Sequence, residues 1–313
     1  MPPGGRLPVG PSSGRPVAAH AMIGPAIKAM RPRQWLKNVL VFVAPAAAGT
    51  LLHGSIFAKA CLAFVAFSMT ASGFYIFNDI RDLESDRAHV RKRRRPIAAG
   101  LLPIPVAAAL SLLLVLGGLT LGALATTWQF GLILIAYVVI NVAYSIRLKQ
   151  EPVVELACVA SGFLLRAIGG GAATGTKLSV WFIAVISFGA LFIVTGKRLA
   201  EMPNEDGNGG ERRAVLAQYT KRFLESVLTI SATITITAYC LWAFGDTGLL
   251  ARTHGREVYI QLTVVPIVIG ALHMLRRLDR GEGGAPEDLA YGDRLLQIMG
   301  LAWLALILIG VYA

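Results

Sequence analysis

Apolar segments of about twenty residues recur nine times along this chain, and their length is the strongest constraint on how it can fold. Each is long enough to cross the hydrocarbon core of a membrane as a helix. Pro45 and Gly49 interrupt the first segment. The sequence therefore predicts an all-α integral membrane protein, a bundle of about nine transmembrane helices. The segments are 38–55, 59–77, 103–124, 128–146, 153–171, 178–196, 224–244, 258–275 and 295–312.

The composition agrees with a membrane as the solvent. Of 313 residues, 55% are apolar and 15% are charged, and the mean hydropathy is +0.61, which exceeds what one soluble core of this size needs. The 30 Lys and Arg residues against 18 acidic residues give a net charge of +12. Because most of these cations lie in short runs between apolar segments, they indicate membrane topology and no nucleic acid partner.

The cysteines and the N-terminal residues add two further expectations. Cys61, Cys158 and Cys240 lie inside apolar segments without ligand spacing to histidines, so we expect neither a disulfide nor a zinc site. Residues 1–24 are rich in Gly, Pro, Ser and Ala, which predicts a disordered tail and no cleavable signal peptide. Residues 25–313 would then form one transmembrane domain.

The distribution of Lys and Arg predicts the orientation in the membrane. If the N-terminus is cytoplasmic, 25 of these cations fall on the inside, 4 fall on the outside and one lies within a span. Since cytoplasmic loops carry the excess of positive charge, we expect the N-terminus inside and the C-terminus outside. Every conspicuous polar cluster then lies in the cytoplasmic cap loops, where a charged soluble substrate would be met.

The sharpest polar motif directly follows the second span. If the helix continues through it, four oxygen-bearing side chains lie on one helix face: Asn78, Asp79, Asp82 and Asp86. Stacked carboxylates repel one another unless a cation neutralises them, and an all-oxygen ligand set favours Mg²⁺ shared with substrate phosphates. The alternative is a solvated helix end balanced by nearby arginines.

Three groups of cations could hold phosphates beside that motif. Arg95 ends a basic run and precedes a proline, so its guanidinium could bind a phosphate bidentately, although the run as a whole also fits a topology-setting loop. Lys197 and Arg198 end the sixth span, where they could equally be stop charges with Glu201 as an exposed helix partner. Lys37 and Asn38 precede the first span and could reach the site or serve as interfacial anchors.

Further polar side chains lie at the fourth and fifth spans. Tyr144 and Lys149 close the fourth span, where an aromatic residue is often an interfacial anchor. Arg166 lies within the fifth span and should face the bundle interior with a partner. Glu155 lies eleven residues earlier on the same helix face, which makes it the candidate partner.

These residues together resemble a known family. Asn-Asp-x-x-Asp-x-x-x-Asp after the second of nine helices is similar to the first signature of the UbiA-type intramembrane prenyltransferase superfamily. The chain departs from the second signature, a pair of carboxylates after the sixth helix, where it has Gly-Lys-Arg-Leu-Ala-Glu. Arg-Pro-Arg-Gln-Trp-x-Lys-Asn, Arg-Pro-Ile-Ala-Ala-Gly, Arg-Ala-Ile-x-Gly-Gly and Gly-Lys-Arg resemble the branch of decaprenyl-phosphate phosphoribosyltransferases from mycobacterial-type bacteria.

The resemblance implies an activity and a set of roles. It implies transfer of 5-phosphoribose from 5-phosphoribosyl 1-diphosphate to decaprenyl phosphate in the cell membrane, for cell-wall arabinan synthesis, and it suggests a homotrimer. In that activity, the first motif would hold Mg²⁺ on the diphosphate. The donor phosphates would be bound by Lys37, Asn38, Arg95, Lys197 and Arg198. The sugar and the acceptor would be positioned by Tyr144, Lys149, Glu155, Arg166 and Glu201.

Two other functions remain open from the residues themselves. Prenyl transfer from a prenyl diphosphate to an aromatic acceptor would be favoured by a second pair of carboxylates, which this chain lacks. A transporter of an anionic lipid or metabolite would tend to have inverted repeats and broken helices at the membrane midplane. The gathering of polar residues at one face favours an enzyme over a transporter.

Overall fold

The computed structural model describes residues 19–202, 214–245, 255–280 and 292–313, together with Thr253 and Leu289. Most of the predicted tail therefore lies outside the described part, and residues 19–24 belong to the first helix. The α-helices of the described part are α1 Ala19–Met30, α2 Val43–Ala47, α3 Gly54–Arg81, α4 Leu83–Ala88, α5 Ile104–Ala125, α6 Trp128–Ile146, α7 Val154–Thr174, α8 Val180–Ala200, α9 Lys221–Gly245, α10 Glu257–Leu262, α11 Val264–Asp279 and α12 Arg294–Tyr312.

Within these residues, eight helical stretches are long and apolar enough to cross a membrane. They are α3, α5, α6, α7, α8, α9, α12 and the stretch Glu257–Asp279, in which α10 and α11 meet at Thr263. Pro266 accounts for that break, because a proline inside a helix removes a backbone hydrogen bond and its ring clashes with the carbonyl four residues earlier. The predicted all-α membrane bundle is confirmed.

The first predicted span is built differently from the others. Residues 38–42 end a 3₁₀ helix, Pro32–Phe42, residues 43–47 form α2, and residues 54–55 already belong to α3. A 3₁₀ helix rises about 2.0 Å per residue, against about 1.5 Å in an α-helix, so residues 32–47 reach about 30 Å. That distance matches the hydrocarbon core. Together with the eight helices, this broken segment accounts for the nine predicted apolar segments.

Helix α3 lies at the centre of the bundle, and small residues let its neighbours approach. Gly118 of α5 lies so close to α3 that a Cβ there would collide with Thr70 Oγ1. On α7, a Cβ at Gly170 would collide with the carbonyl oxygen of Val41 in the 3₁₀ helix. Small residues at such contacts let helix backbones pack closely inside a membrane. The positions of α5, α7 and the 3₁₀ helix are thereby fixed.

The polar motifs meet at one end of this bundle, which we call the polar end. Helices α3, α6 and α8 end there, and α7 begins there. Ion pairs join Lys149 to Asp82 and Arg198 to Glu155 across the connecting segments. The sequence predicted that these clusters share one face, and the fold brings them together.

Candidate active site

The acidic motif spans the junction of α3 and α4. Helix α3 ends at Arg81 and α4 begins at Leu83, so the helix does not run continuously through the motif as expected. Asp82 is the single interrupting residue, but its amide still bonds the Asn78 carbonyl at 2.9 Å, and the Asp86 amide bonds the Asp82 carbonyl at 2.8 Å. The four-residue register of the motif therefore survives the break.

Asp79 and Asp86 form a buried centre with two arginines. Arg95 Nη1 lies 2.7 Å from Asp86 Oδ2 and 3.2 Å from Asp79 Oδ1, and Arg31 Nη2 donates to the same Asp79 oxygen. The two carboxylates are only 2% and 1% exposed. Arg95 is extended, as expected before Pro96, and this conformation directs it toward α3. We call Asp79, Asp86, Arg31 and Arg95 the carboxylate centre.

The other two motif residues contact the end of α6. Ser145 Oγ donates to Asn78 Oδ1 at 2.6 Å. Lys149 Nζ lies 3.5 Å from Asp82 Oδ1, and both of these side chains are over one-third exposed. The predicted site residues Lys149 and Asp82 are therefore brought together, although not at the buried carboxylates. Tyr144, one residue before Ser145, is half-buried.

The predicted metal ligands do not converge into a preformed cage. Among the described residues, no group of three or more His, Cys, Asp or Glu side chains could hold a metal ion. Mg²⁺, however, is usually bound through one or two carboxylates together with substrate phosphates. Asp79 and Asp86 share one guanidinium nitrogen as a neighbour, so their oxygens fit such a two-carboxylate site.

The end of α8 holds a buried ion triad. Arg198 bonds Glu155 bidentately, with Nε to Oε1 at 2.8 Å and Nη2 to Oε2 at 2.9 Å, and its Nη1 bonds Glu201 at 2.9 Å. Both Arg198 and Glu155 are buried. All three nitrogens of Arg198 therefore face carboxylates in this geometry, and its role in holding a donor phosphate stays a prediction. Lys197 beside it is half-buried.

Arg166 faces the bundle interior as predicted, but its predicted partner is wrong. Its Nε bonds Asn38 Oδ1 at 2.7 Å, and its Nη2 bonds the Tyr137 hydroxyl at 3.2 Å. Among the described residues, no carboxylate pairs with it. Eleven residues of helix separate it from Glu155 by about 16 Å, so the two share a face without meeting. Asn38 is likewise buried inside the bundle, away from the carboxylate centre.

Lys37 lies beside an open apolar cavity between helices. Its Nζ lies 5.8 Å from the ring centroid of Phe163, and Phe163 lines a mostly apolar cavity of 480 Å³. Other lining residues come from α8, α11 and α12, including Val185, Ile267 and Trp303. The predicted donor ligand Lys37 therefore lies next to an apolar cavity, while Arg31 on the same segment reaches the carboxylates.

A strained turn joins two connections at the polar end. Val153 has a φ of 66°, which is rare for a β-branched residue, and its amide donates to the Tyr219 hydroxyl at 2.7 Å. Burial raises the pKa of Tyr219. Gln218 Nε2 donates to the Gln150 carbonyl at 3.3 Å in the same contact. The segments before α7 and before α9 are thus fastened together over the ion triad.

Sequence reasoning missed several of these residues. Arg31 lies six residues before Lys37, in the segment that precedes the first span, and only its place before Pro32 marks it as the start of a new element. Ser145 follows the candidate Tyr144 directly, but nothing in the sequence marks Ser145 as the partner of Asn78 or Tyr219 as the partner of Val153. A left-handed arginine and a valine with a positive φ depend on tertiary contacts, which local patterns do not encode.

Comparison with known proteins agrees with this architecture. The model of the UbiA prenyltransferase family matches residues 39–312. A decaprenyl-phosphate phosphoribosyltransferase of Corynebacterium glutamicum is 40% identical over 91% of this chain and 86% of its own. One of Mycobacterium tuberculosis is 41% identical over 91% of this chain and 93% of its own.

A solved structure shares the fold at low sequence identity. The UbiA homologue from Archaeoglobus fulgidus, solved bound to GPP and Mg²⁺, superposes with a TM-score of 0.64 at 18% identity, covering 91% of this chain and 98% of that one. The family match and the relatives extend over nearly the whole bundle, including the motif at the end of α3. The chain therefore belongs to the UbiA prenyltransferase family, in the branch that contains the decaprenyl-phosphate phosphoribosyltransferases.

Proposed function

We propose that this protein transfers 5-phosphoribose from 5-phosphoribosyl 1-diphosphate to decaprenyl phosphate, releases diphosphate, and so supplies a precursor for cell-wall arabinan. One observation carries the proposal. The relatives named decaprenyl-phosphate phosphoribosyltransferase are about 40% identical to this chain over most of both lengths. The rival activity, prenyl transfer to an aromatic acceptor, would be favoured by a second pair of carboxylates at the end of α8, which this chain lacks. There, Lys197 and Arg198 are adjacent, and Glu201 follows them.

We place the donor at the carboxylate centre. Mg²⁺ would be held by Asp79 and Asp86 and would neutralise charge on the departing diphosphate. Arg31 and Arg95 carry guanidinium groups next to those carboxylates and would bind the phosphate oxygens. Each such charge-assisted contact contributes about 1.5–3 kcal/mol. Asn78, Asp82 and Lys149 form the partly exposed rim through which a soluble donor would enter.

We place the lipid acceptor along the apolar cavity. Its lining by Phe163, Ile267 and Trp303 suits a hydrocarbon chain, and Lys37 next to Phe163 would meet the lipid phosphate. This assignment moves Lys37 from the predicted donor site to the acceptor. Tyr144, at the end of α6, and Lys197, at the end of α8, remain candidates for contacts with the ribose and its 5-phosphate.

In this arrangement the residues act by positioning and charge stabilisation. An oxygen of the lipid phosphate forms a bond to ribose C1 while the bond from C1 to the diphosphate breaks, and the diphosphate leaves with the electron pair. The lipid phosphate is already an anion, so no general base has to remove a proton. Arg31 and Arg95 would stabilise negative charge as it grows on the leaving group.

The substrates suggest where the protein works. The donor is soluble and highly charged, so the polar end should face the cytoplasm, with the N-terminus inside and the C-terminus outside, in agreement with the distribution of Lys and Arg. We expect the protein in the cell membrane. The homotrimer suggested by the sequence resemblance would be tested by measuring the mass of the detergent-solubilised protein.

The test uses purified protein in liposomes with radiolabelled 5-phosphoribosyl 1-diphosphate and decaprenyl phosphate. Thin-layer separation of lipids should show a labelled product that requires Mg²⁺. Asp86→Asn should remove most of the product, whereas Glu84→Gln should not, because Glu84 is an exposed acid on the same short helix. Turnover of geranyl diphosphate with an aromatic acid, and none of the phosphoribosyl donor, would establish the rival activity.

A further inference from the structure

The 3₁₀ helix Pro32–Phe42 is fastened to α3 by two hydrogen-bonded rungs. Trp35 Nε1 donates to Ser72 Oγ at 3.0 Å, and Asn38 Nδ2 donates to Ser68 Oγ at 2.9 Å. The spacing of the two helices explains the match. Three residues of a 3₁₀ helix and four residues of an α-helix both rise about 6 Å. Two side chains three residues apart can therefore bond two side chains four residues apart.

The rung formed by Trp35 and Ser72 also fixes the backbone around Arg31. Ser72 Oγ donates to the Met30 carbonyl at 3.0 Å while it accepts from Trp35. Ser72 thus holds a residue on each side of Arg31. Arg31 has a left-handed backbone, with φ 54° and ψ 62°. A residue other than glycine keeps this unfavourable conformation only where the surrounding contacts hold it. From this kink its guanidinium reaches Asp79.

The rung formed by Asn38 and Ser68 is held from the opposite side by α7. Asn38 accepts from Arg166 Nε at 2.7 Å, and Arg166 Nη1 also donates to the Gly162 carbonyl at 2.6 Å. The close approach of Gly170 to Val41 prevents the 3₁₀ helix from moving toward α7. The segment is therefore locked between two helices, and sliding along α3 would break both rungs together.

We propose that this two-rung contact positions Arg31 for the donor diphosphate, so that Ser68, Ser72 and Asn38 are positioning residues that act through Arg31. The inference rests on the proposed function. Ser72 lies seven residues from Asp79 along α3, or about 10 Å, and Ser68 lies about 16 Å away. The rungs do not belong to the carboxylate centre. Their influence on the donor has to pass through the segment that they hold.

The test compares donor and acceptor kinetics in four variants. Ser72→Ala should raise the KM for 5-phosphoribosyl 1-diphosphate roughly three- to tenfold and leave the KM for decaprenyl phosphate nearly unchanged. Arg31→Ala should raise the donor KM by roughly tenfold or more. The double variant should match Arg31→Ala alone, because Ser72 has nothing left to position. The matched control is Ser111→Ala, which removes another buried hydroxyl bonded to α3, at the Gly73 carbonyl 2.8 Å away.

Three outcomes would overturn the inference. Ser72→Ala could behave like Ser111→Ala, its effect could multiply with that of Arg31→Ala, or it could lower Tm and kcat without changing the donor KM. Ser68→Ala gives a second readout if Ser72→Ala does not fold, and it should show the same split between donor and acceptor. A wild-type protein that ignores the phosphoribosyl donor would refute the proposed function instead, so the two failures are distinguishable.

Discussion

We expect Glu155→Ala to destabilise the protein strongly, because it leaves the buried guanidinium of Arg198 without its bidentate partner. Removing one partner of a buried ion pair costs about 3–5 kcal/mol. Glu201 stays bonded to Arg198 at 2.9 Å but is one-quarter exposed, so it offsets only part of that cost. The loss of Tm should be on the order of 10 °C.

Thermal unfolding in detergent would measure this effect. Arg198→Ala should also lower Tm, and the double variant Glu155→Ala with Arg198→Ala should lose less than the two single losses together, since no buried charge remains unpaired. Lys221→Ala is the control. It breaks an exposed pair in which Lys221 Nζ lies 3.6 Å from Glu225, and such pairs contribute little.

Donor kinetics on the same variants would expose an error in this reasoning. If Arg198 holds the fold, the protein that stays folded at low temperature should keep a donor KM near the wild-type value. A variant Arg198→Ala with unchanged Tm and a donor KM raised tenfold or more would refute the structural role. It would support the phosphate-binding role predicted from the sequence.

Three more predictions test the metal, the orientation and a helix cap. Asp86→Asn should lose most turnover, and EDTA should abolish wild-type turnover until Mg²⁺ is restored, as measured by lipid product. In a background without native cysteines, a cysteine at Arg93 should react with an impermeant thiol reagent only in opened cells, whereas one at Lys59 should react in intact spheroplasts. The hydrogen bond from His273 lowers the pKa of Asp293. The ionised carboxylate of Asp293 therefore stabilises the fold, and this stabilisation should be lost as the pH falls below about 4 and the carboxylate is protonated. Asp293→Asn should therefore flatten the dependence of Tm on pH in that range.

The sequence predicted the bundle because its signals are local. Spans of apolar residues appear directly in the chain, and the eight helices follow them closely, as with the predicted 128–146 and the observed Trp128–Ile146. The first span was harder to predict, since a 3₁₀ helix and an α-helix have similar apolar content and differ in backbone hydrogen bonds. Pro45 and Gly49 marked the irregularity but not its form.

Pairings in the site were predicted less well than positions. Helix periodicity placed Glu155 and Arg166 on one face, yet the partner of each lies on another element: Arg198 on α8 and Asn38 in the 3₁₀ helix. Spacing along one helix decides which side chains share a face, whereas packing between helices decides which of them meet. Arg31 was missed for the same reason, because its contact with the carboxylates spans 48 residues of sequence.

Charge balance at the polar end connects these pairings to the choice of donor. Asp79 and Asp86 are matched by Arg31 and Arg95, and Asp82 is matched by Lys149. At the end of α8, the superfamily pattern has a pair of carboxylates, and this chain instead places Arg198 between its acids. A second acidic pair would add negative charge that suits additional metal. The proposed donor carries a 5-phosphate as well as a diphosphate and brings more negative charge itself, so we expect it to bind more favourably where arginines and lysines lie beside the protein's carboxylates.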